Sequence, residues 1–260
     1  MQDSASMKVV TLNLAHGRKT AWHQALLRRA TIQANLDEVV RILRREQPDV
    51  VALQEADGPS LWSGRFHHVA YLSEKTGIPY FVLGTHVRRM KLAYGTALVS
   101  RQRLQDAASH RFSPSPPTGL KGMVVGTIHW PGKQHFLLDV VSVHLDFSRK
   151  SIRQRQAREI IDRLAGRRRP LVLMGDFNCG FSTKDPTLSV LARELKLQTH
   201  EPGATEMASF PQRNKRFDWI MISAELDFLE YRTLPDVLSD HRAVVATLEL
   251  ARRRTRVESQ

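Results

Sequence analysis

The stretch Leu171-Val172-Leu173-Met174-Gly175-Asp176-Phe177-Asn178 decides how the rest of the chain is read. Four apolar residues run into a glycine, and an acid and an amide then stand two positions apart. In a β-strand, residues i and i+2 face the same way, so Asp176 and Asn178 are expected to project together beyond the strand's end. A carboxylate beside a carboxamide can position a water, hold a hard cation or contact a phosphate oxygen. An ordinary Asx turn needs only one such residue, so this stretch alone leaves a structural and a chemical reading open.

Working outward, the same pattern of an apolar run closed by a polar residue recurs. Met7 to Leu14 reads as a buried strand ending near Asn13, and Asp49 to Glu55 as a second one ending in an acid. Between them Leu36, Val39, Val40 and Leu43 fall at i, i+3, i+4 and i+7, one face of an amphipathic helix that Pro48 stops. A helix is expected over His67 to Thr76, closed by Gly77. Strands are expected at Tyr80 to Leu83 and Thr96 to Ser100, joined by the basic segment His86 to Lys91. Ser113-Pro114-Ser115-Pro116-Pro117-Thr118-Gly119 reads as a loop and a candidate mobile rim, because its prolines forbid regular structure. Met123 to Trp130 and His135 to Leu145 flank the turn Pro131-Gly132-Lys133 as a hairpin. Ser148 is the expected N-cap of a helix to Leu164 whose exposed face carries Arg149, Lys150, Arg153, Arg155 and Arg158. A helix at Leu188 to Leu195 and strands at Phe217 to Ser223 and Ala243 to Leu250 follow. Strands and helices alternate early and late, but the middle hairpin is antiparallel in character, which argues against a plain doubly wound parallel sheet.

The composition, 42% hydrophobic and 25% charged with a mean hydropathy of -0.34, is that of a soluble protein. With no composition shift or repeat, the expected organisation is an extension at 1–6, one domain at 7–250 and a basic tail at 251–260. No apolar run reaches the roughly 20 residues needed to span a bilayer, and Met1 to Ser6 lacks a basic-then-apolar signal pattern. Cys179 is the sole cysteine, so no intrachain disulfide can form, and a cytoplasmic location is expected. The unusual quantity is charge: 39 Lys and Arg against 26 acids give +13 and a pI near 10.4. Such an excess favours polyanionic partners: nucleic acid, an anionic phospholipid membrane surface or phosphorylated substrates. Nothing in the sequence sets the oligomeric state.

Asn13, Glu55, His144, Asp176 with Asn178, Asp218, and Asp240 with His241 all lie at ends of apolar runs or in adjoining turns. Burying an unpaired carboxylate costs several kcal/mol unless it is paired or bound to metal, so a shared chemical purpose is expected. Taken as Thr11-Leu12-Asn13, Leu53-Gln54-Glu55, Ser142-Val143-His144, Gly175-Asp176-Phe177-Asn178, Phe217-Asp218-Trp219-Ile220 and Ser239-Asp240-His241, these motifs occur in the order found in a known superfamily. The chain resembles the endonuclease/exonuclease/phosphatase superfamily, which includes deoxyribonuclease I, exonuclease-III-type abasic-site endonucleases, neutral sphingomyelinases and inositol polyphosphate 5-phosphatases. The resemblance covers about Met7 to Leu250.

It implies an α/β fold, a four-layer α/β sandwich of two packed mixed β-sheets flanked by helices. It also implies a divalent-metal-dependent phosphodiesterase using Mg²⁺, or Mn²⁺ in its place. By the same resemblance Glu55 is the first choice of metal ligand, with Asn13 and Asp240 nearby. Asp176 would orient or deprotonate the attacking water, and Asn178 would hold the phosphate or that water. Asp218 would orient His241, which then acts as base or stabilises developing charge, while His144 donates a proton to the leaving oxygen. Exonuclease-III-type enzymes typically have tyrosine where His144 stands, and an aspartate where Ala15 stands; both departures point away from abasic-site repair. A nuclease is the leading expectation, with Arg88, Arg89, Lys91 and Arg149 as substrate-side cations. A sphingomyelinase-like phospholipid or phosphoinositide phosphoesterase is the alternative, and a non-catalytic nucleic-acid-binding module is a third reading.

Overall fold

The computed structural model describes residues 6–23, 27–204 and 206–251; the expected extension before residue 6 and the tail from residue 252 lie outside the described residues. The chain begins with β1 (Met7–Asn13), α1 (Arg29–Glu46), β2 (Val50–Asp57), α2 (His68–Thr76), β3 (Tyr80–Arg89) and β4 (Leu92–Ser100). It continues with β5 (Gln105–Arg111), β6 (Gly122–Trp130), β7 (Lys133–His144), α3 (Lys150–Leu164), β8 (Leu171–Asp176), α4 (Thr187–Glu194), β9 (Leu197–Thr199) and β10 (Asp218–Ser223). It closes with β11 (Leu226–Thr233) and β12 (Val244–Leu250).

These strands form two mixed six-stranded sheets, ordered β11-β12-β1-β2-β4-β3 and β5-β6-β7-β8-β10-β9. Each sheet has one parallel pair near its centre, β1 with β2 and β7 with β8, and antiparallel neighbours elsewhere. Parallel neighbours need a long crossover, which α1 and α3 supply. The central strands are apolar at nearly every position because both faces are covered. Val10, Leu12 and Val51 turn outward to Leu36, Val39 and Leu43 of α1. Val9 and Val50 turn inward to Val140, Val172 and Ile220 of the other sheet. On the far side Val141 and Leu173 meet Ile160 and Leu164 of α3 and Leu188 and Leu191 of α4. The result is helix, sheet, sheet, helix: the expected four-layer sandwich.

Several elements differ from expectation. The basic segment His86 to Lys91 is no connector: β3 runs to Arg89, and Met90 and Lys91 alone form the tip of a continuous hairpin with β4. Strands β5, β9 and β11 have no counterpart in the sequence reading. Strand β5 (QDAASHR) is a polar edge strand, β9 has three residues, and the alternation in β11 is broken by a bulge between Phe228 and Glu230. Ser148 is not the N-cap of α3, which falls at Arg149; Asp146 Oδ1 instead accepts from the backbone N–H groups of Ser148 and Arg149 at 2.9 and 2.8 Å. Nor is the proline-rich segment a loose rim. Arg149 donates to the Ser115 and Pro116 carbonyls at 2.7 Å each, and Arg155 to the Pro114 carbonyl at 2.8 Å.

The C-terminal ends of β1, β2, β7 and β8 lie at one end of the sandwich, and antiparallel β10 starts there, with Asp218 directly opposite Asp176. Gly175 permits this junction. Its φ is +151°, and a Cβ would be driven into the Val143 carbonyl oxygen on β7. Gly175→Ala is therefore expected to cost at least about 3 kcal/mol of unfolding free energy in urea titration; a loss under 1 kcal/mol would show that the strands can separate there.

Candidate active site

Asn13 ends β1 with its amide turned to the second sheet: Nδ2 donates to Asp176 Oδ2 at 2.9 Å, and Oδ1 accepts the Ala15 N–H at 2.9 Å. Beside it, β2 bulges between Leu53 and Ala56, and Glu55 sits there with φ of +48°. The bulge lets two successive residues serve different places. Gln54 stays fully buried between the sheets, donating to Ser142 Oγ at 3.1 Å, while Glu55 enters a cavity of about 370 Å³.

Asp176 is both an Asx-turn residue and the hub of the site. Its Oδ1 accepts the Asn178 N–H at 2.9 Å, while Oδ2 meets Asn13 and lies 3.4 Å from His144 Nε2 and 3.8 Å from His241 Nε2. The expected strand-like projection of Asn178 gives way to a left-handed φ of +52°, and its Nδ2 donates to the Leu145 carbonyl at 3.0 Å. The turn still leaves Asn178 lining the cavity with Asp176. Burial and the neighbouring Asp218 raise the Asp176 carboxyl above the usual aspartate range, against the pull of His241.

His241 precedes β12 on a loop fixed by Ser239, whose hydroxyl donates to the Asn13 carbonyl at 2.6 Å and accepts the His241 N–H at 2.9 Å. His241 Nδ1 meets Asp218 Oδ2 at 2.8 Å. Burial would lower its pKa, but the carboxylates of Asp218 and Asp176 outweigh that and push it up to about 10. This shift favours the charged imidazolium at neutral pH, the form suited to stabilising developing charge.

His144 behaves oppositely. Burial, together with the Lys121 ammonium whose Nζ is 2.8 Å from Nε2, drives its pKa well below the usual histidine value. That shift favours the neutral ring, which faces the buried Lys121 side chain. Lys121 went unrecognised in the sequence because it lies just outside the apolar β6. It also stands 3.8 Å from Glu55 Oε1.

His16 was likewise missed, having been read as loop. With φ of +59°, following Ala15 at +45°, it occupies a conformation that costs a non-glycine residue about 1–3 kcal/mol. Its ring is clamped between Asp57 Oδ1 at 2.9 Å and Glu55 Oε2 at 3.4 Å, and it stacks on Trp62. Burial alone would raise the Glu55 carboxyl; the charges of His16 and Lys121 outweigh it and hold the group down to about 2.

The cavity is lined by Glu55, Asp176 and Asp240 and by the amides of Asn13 and Asn178. These are oxygen donors around an ionised carboxylate, a set that suits a hard cation such as Mg²⁺ or Mn²⁺. Arg18 ion-pairs with Asp240 and also lines the cavity. A second set lies deeper: Asp176, Asp218 and His241 offer ligand atoms within 4.8 Å of one another, and Asp218 Oδ1 is buried without a hydrogen-bond partner among the described residues. Because Asp218 is already bonded to the His241 cation, the Glu55 set fits a hard ion better.

Of the expected substrate-side cations, Arg149 has one guanidinium nitrogen engaged by two loop carbonyls. The basic face of α3 is further depleted, since Arg153 pairs with Asp185 and Arg155 holds the loop. Arg88, Arg89 and Lys91 lie at the end of the β3–β4 hairpin, outside the Glu55 cavity.

With this geometry established, comparison with known proteins gives the family. The chain belongs to the Endonuclease/Exonuclease/phosphatase family, whose model matches residues 10–241; members of this superfamily are phosphoester hydrolases. No curated protein sequence matches. Among solved structures, the endonuclease/exonuclease/phosphatase from Beutenbergia cavernae is 21% identical, with a TM-score of 0.71 over 95% of this chain and 72% of that one. The human Nocturnin catalytic domain with bound sulfate is 18% identical, with a TM-score of 0.68 over 95% of this chain and 94% of that one. A mannosyl-6-phosphatase from Bacteroides thetaiotaomicron is 15% identical, with a TM-score of 0.68 over 93% and 99%. At these identities the likeness is one of fold. No helix among the described residues is long and apolar enough to cross a membrane.

Proposed function

We propose that this chain is a divalent-metal-dependent phosphodiesterase and, among phosphodiesters, a nuclease cutting DNA or RNA. The observation that carries the reading is the meeting, across one cavity, of an aspartate of raised pKa with a protonated histidine, backed by a buried lysine. Displacement at phosphorus needs three things: a group to take a proton from water, fixed positive charge for the phosphoryl oxygens, and a proton for the leaving oxygen. Asp176 serves the first, being the carboxylate whose basicity burial has moved toward neutrality. His241, held cationic by Asp218, serves the second together with Asn178. The Lys121–His144 pair serves the third, since burial also makes the Lys121 ammonium more acidic. A divalent cation held by Glu55, Asp240 and Asn13 would supply Lewis-acid stabilisation of the phosphoryl oxygens. His16, anchored on Asp57, orients Glu55 within that set.

The nuclease assignment draws support from the charge of +13. The names of the structural relatives keep it open to other phosphoesters, since one acts on a mannosyl 6-phosphate and another holds a sulfate. The test is one substrate panel with and without EDTA: supercoiled DNA, single strands, abasic duplex, RNA, sphingomyelin, an inositol polyphosphate and an aryl phosphodiester. EDTA-sensitive cleavage of a nucleic acid is expected, and none on any diester would end the reading. Glu55→Gln is expected to weaken Mn²⁺ binding at least about 100-fold, read by electron paramagnetic resonance titration; unchanged affinity would move the ion to the deeper set.

A lipid phosphoesterase is the second reading, favoured by exposed apolar side chains: Phe147 at the cavity mouth is 63% exposed, Trp22 92% and Met90 95%. Turnover of sphingomyelin or phosphoinositide vesicles without cleavage of DNA or RNA would put it first.

A further inference from the structure

In the β3–β4 hairpin Val87 pairs with Tyr94 and Arg89 with Leu92. Alternate residues of a strand share a face, so these four look the same way, and Arg88, paired with Ala93, also contributes to the lining of the cavity they border. Across from them runs the loop 114–120 of the second sheet. It comes so close that a Cβ on Gly119 would lie 2.8 Å from the Tyr94 hydroxyl oxygen and 3.9 Å from Val87. Between hairpin and loop lies a cavity of about 400 Å³, which Arg111 at the end of β5 also lines.

No aspartate or glutamate lines this cavity. Beyond their strand pairing with Leu92 and Gly122, neither Arg89 nor Arg111 has a side-chain hydrogen bond or ion pair among the described residues, whereas Arg149, Arg153 and Arg155 nearby are all engaged. Two guanidinium groups held at one cavity without a counter-charge repel each other, and a bound anion removes that cost. The wall is fixed in advance, because Arg149 and Arg155 pin the loop to α3 and Thr118 donates to Asp146 at 2.5 Å. The cavity also adjoins the Glu55 site. The Tyr94 ring stands edge-on to His16 with centroids 4.7 Å apart, and His16 touches Glu55.

We infer that this cavity is a second phosphate site, taking a backbone phosphate of a nucleic-acid strand next to the one cleaved, with Arg89 and Arg111 as its donors. The inference rests on the nuclease reading above. The favoured occupant is a strand because an aromatic wall, Tyr94 with His16 and Trp62, stands between the two anion sites. A nucleoside between consecutive phosphates meets such rings by stacking, in a sequence-tolerant way.

The experiment has two arms. In EDTA, fluorescence anisotropy of a labelled oligothymidylate is followed against salt for the wild type, Arg89→Gln, Arg111→Gln and the double variant. Each substitution is expected to weaken binding about tenfold and to reduce the slope of log affinity on log salt by about 0.7. In the second arm, kcat/KM is measured with the metal on oligothymidylates of increasing length and on an aryl phosphodiester, which has no second phosphate. The double variant is expected to lose at least tenfold more on the oligonucleotides than on the aryl diester, with the difference carried by KM. Equal losses on both substrates, or an unchanged salt slope, overturn the second site. A dependence on the arginine pair seen with an inositol polyphosphate and not with oligothymidylate overturns the occupant. Failure of the wild type to cleave any phosphodiester overturns the nuclease reading alone, since the EDTA arm still reads the cavity. Matching thermal unfolding midpoints show that the variants fold.

Discussion

Asparagine at position 176 is expected to lower kcat on a phosphodiester substrate by roughly 10²–10⁴-fold with the fold intact. The carboxamide keeps an acceptor for the Asn178 N–H, so the Asx turn that closes β8 survives. What is lost is the negative charge and the basic oxygen shared among Asn13, His144 and His241. A second readout is independent of turnover. Asp176 is one of the three carboxylates, with Asp218 and Asp240, that hold the His241 pKa up, so in Asp176→Asn that pKa is expected to fall, as measured by NMR titration of the histidine ring. Turnover within threefold of wild type, or an unmoved His241, would remove Asp176 from the centre of the mechanism.

The second large effect belongs to the His241–Asp218 pair. His241→Gln is expected to cost a similar factor, roughly 10²–10⁴ in kcat, because a neutral amide cannot supply the fixed charge. Asp218→Asn should approach the same loss without touching the imidazole, since it removes the first of the charges that keep His241 protonated. The pH dependence follows from the folded pKa of about 10 against 6.5 in the unfolded chain. The stability contributed by the pair is fully present below pH 6.5 and is lost as the pH rises through about 10, because unfolding then releases a proton that the folded protein retains. The stability gap between wild type and His241→Gln should therefore narrow steadily over that window in urea titrations. The turnover rate of the wild type should fall as the pH passes 10. A gap that widens toward alkaline pH would mean that His241 is neutral in the folded protein.

How much of this could be read from the chain depends on where each residue sits. Asn13, Glu55, His144, Asp176 and Asp218 interrupt or end apolar strands, where a polar residue stands out against its neighbours, and the structure brings them to one end of the sandwich. Lys121 and His16 have no such contrast. One precedes a strand and the other lies in a loop, and only the packing of the two sheets carries them to Glu55. Charge state was equally hidden. His144 and His241 look alike in sequence, yet burial and the Lys121 ammonium lower the pKa of the first while the carboxylates of Asp218, Asp176 and Asp240 raise that of the second. The basic face of α3 was legible only as charge: an arginine in a sequence does not show the carbonyl or carboxylate that it already meets, as Arg149 and Arg153 do.

The nesting of the sheets bears on how the protein comes into being. The second sheet is continuous in the chain, from Gln105 to Ser223, and its strands can pair as soon as that segment has left the ribosome. The first sheet cannot close so early: β12 must lie against β1, and β12 is the last strand among the described residues. Until it docks, the edge of β1 is open and His241 is not in place beside Asp218. During synthesis the nascent chain thus passes through a stage with one finished sheet and one waiting edge, and it gains its charged centre only once His241 and β12 are in place.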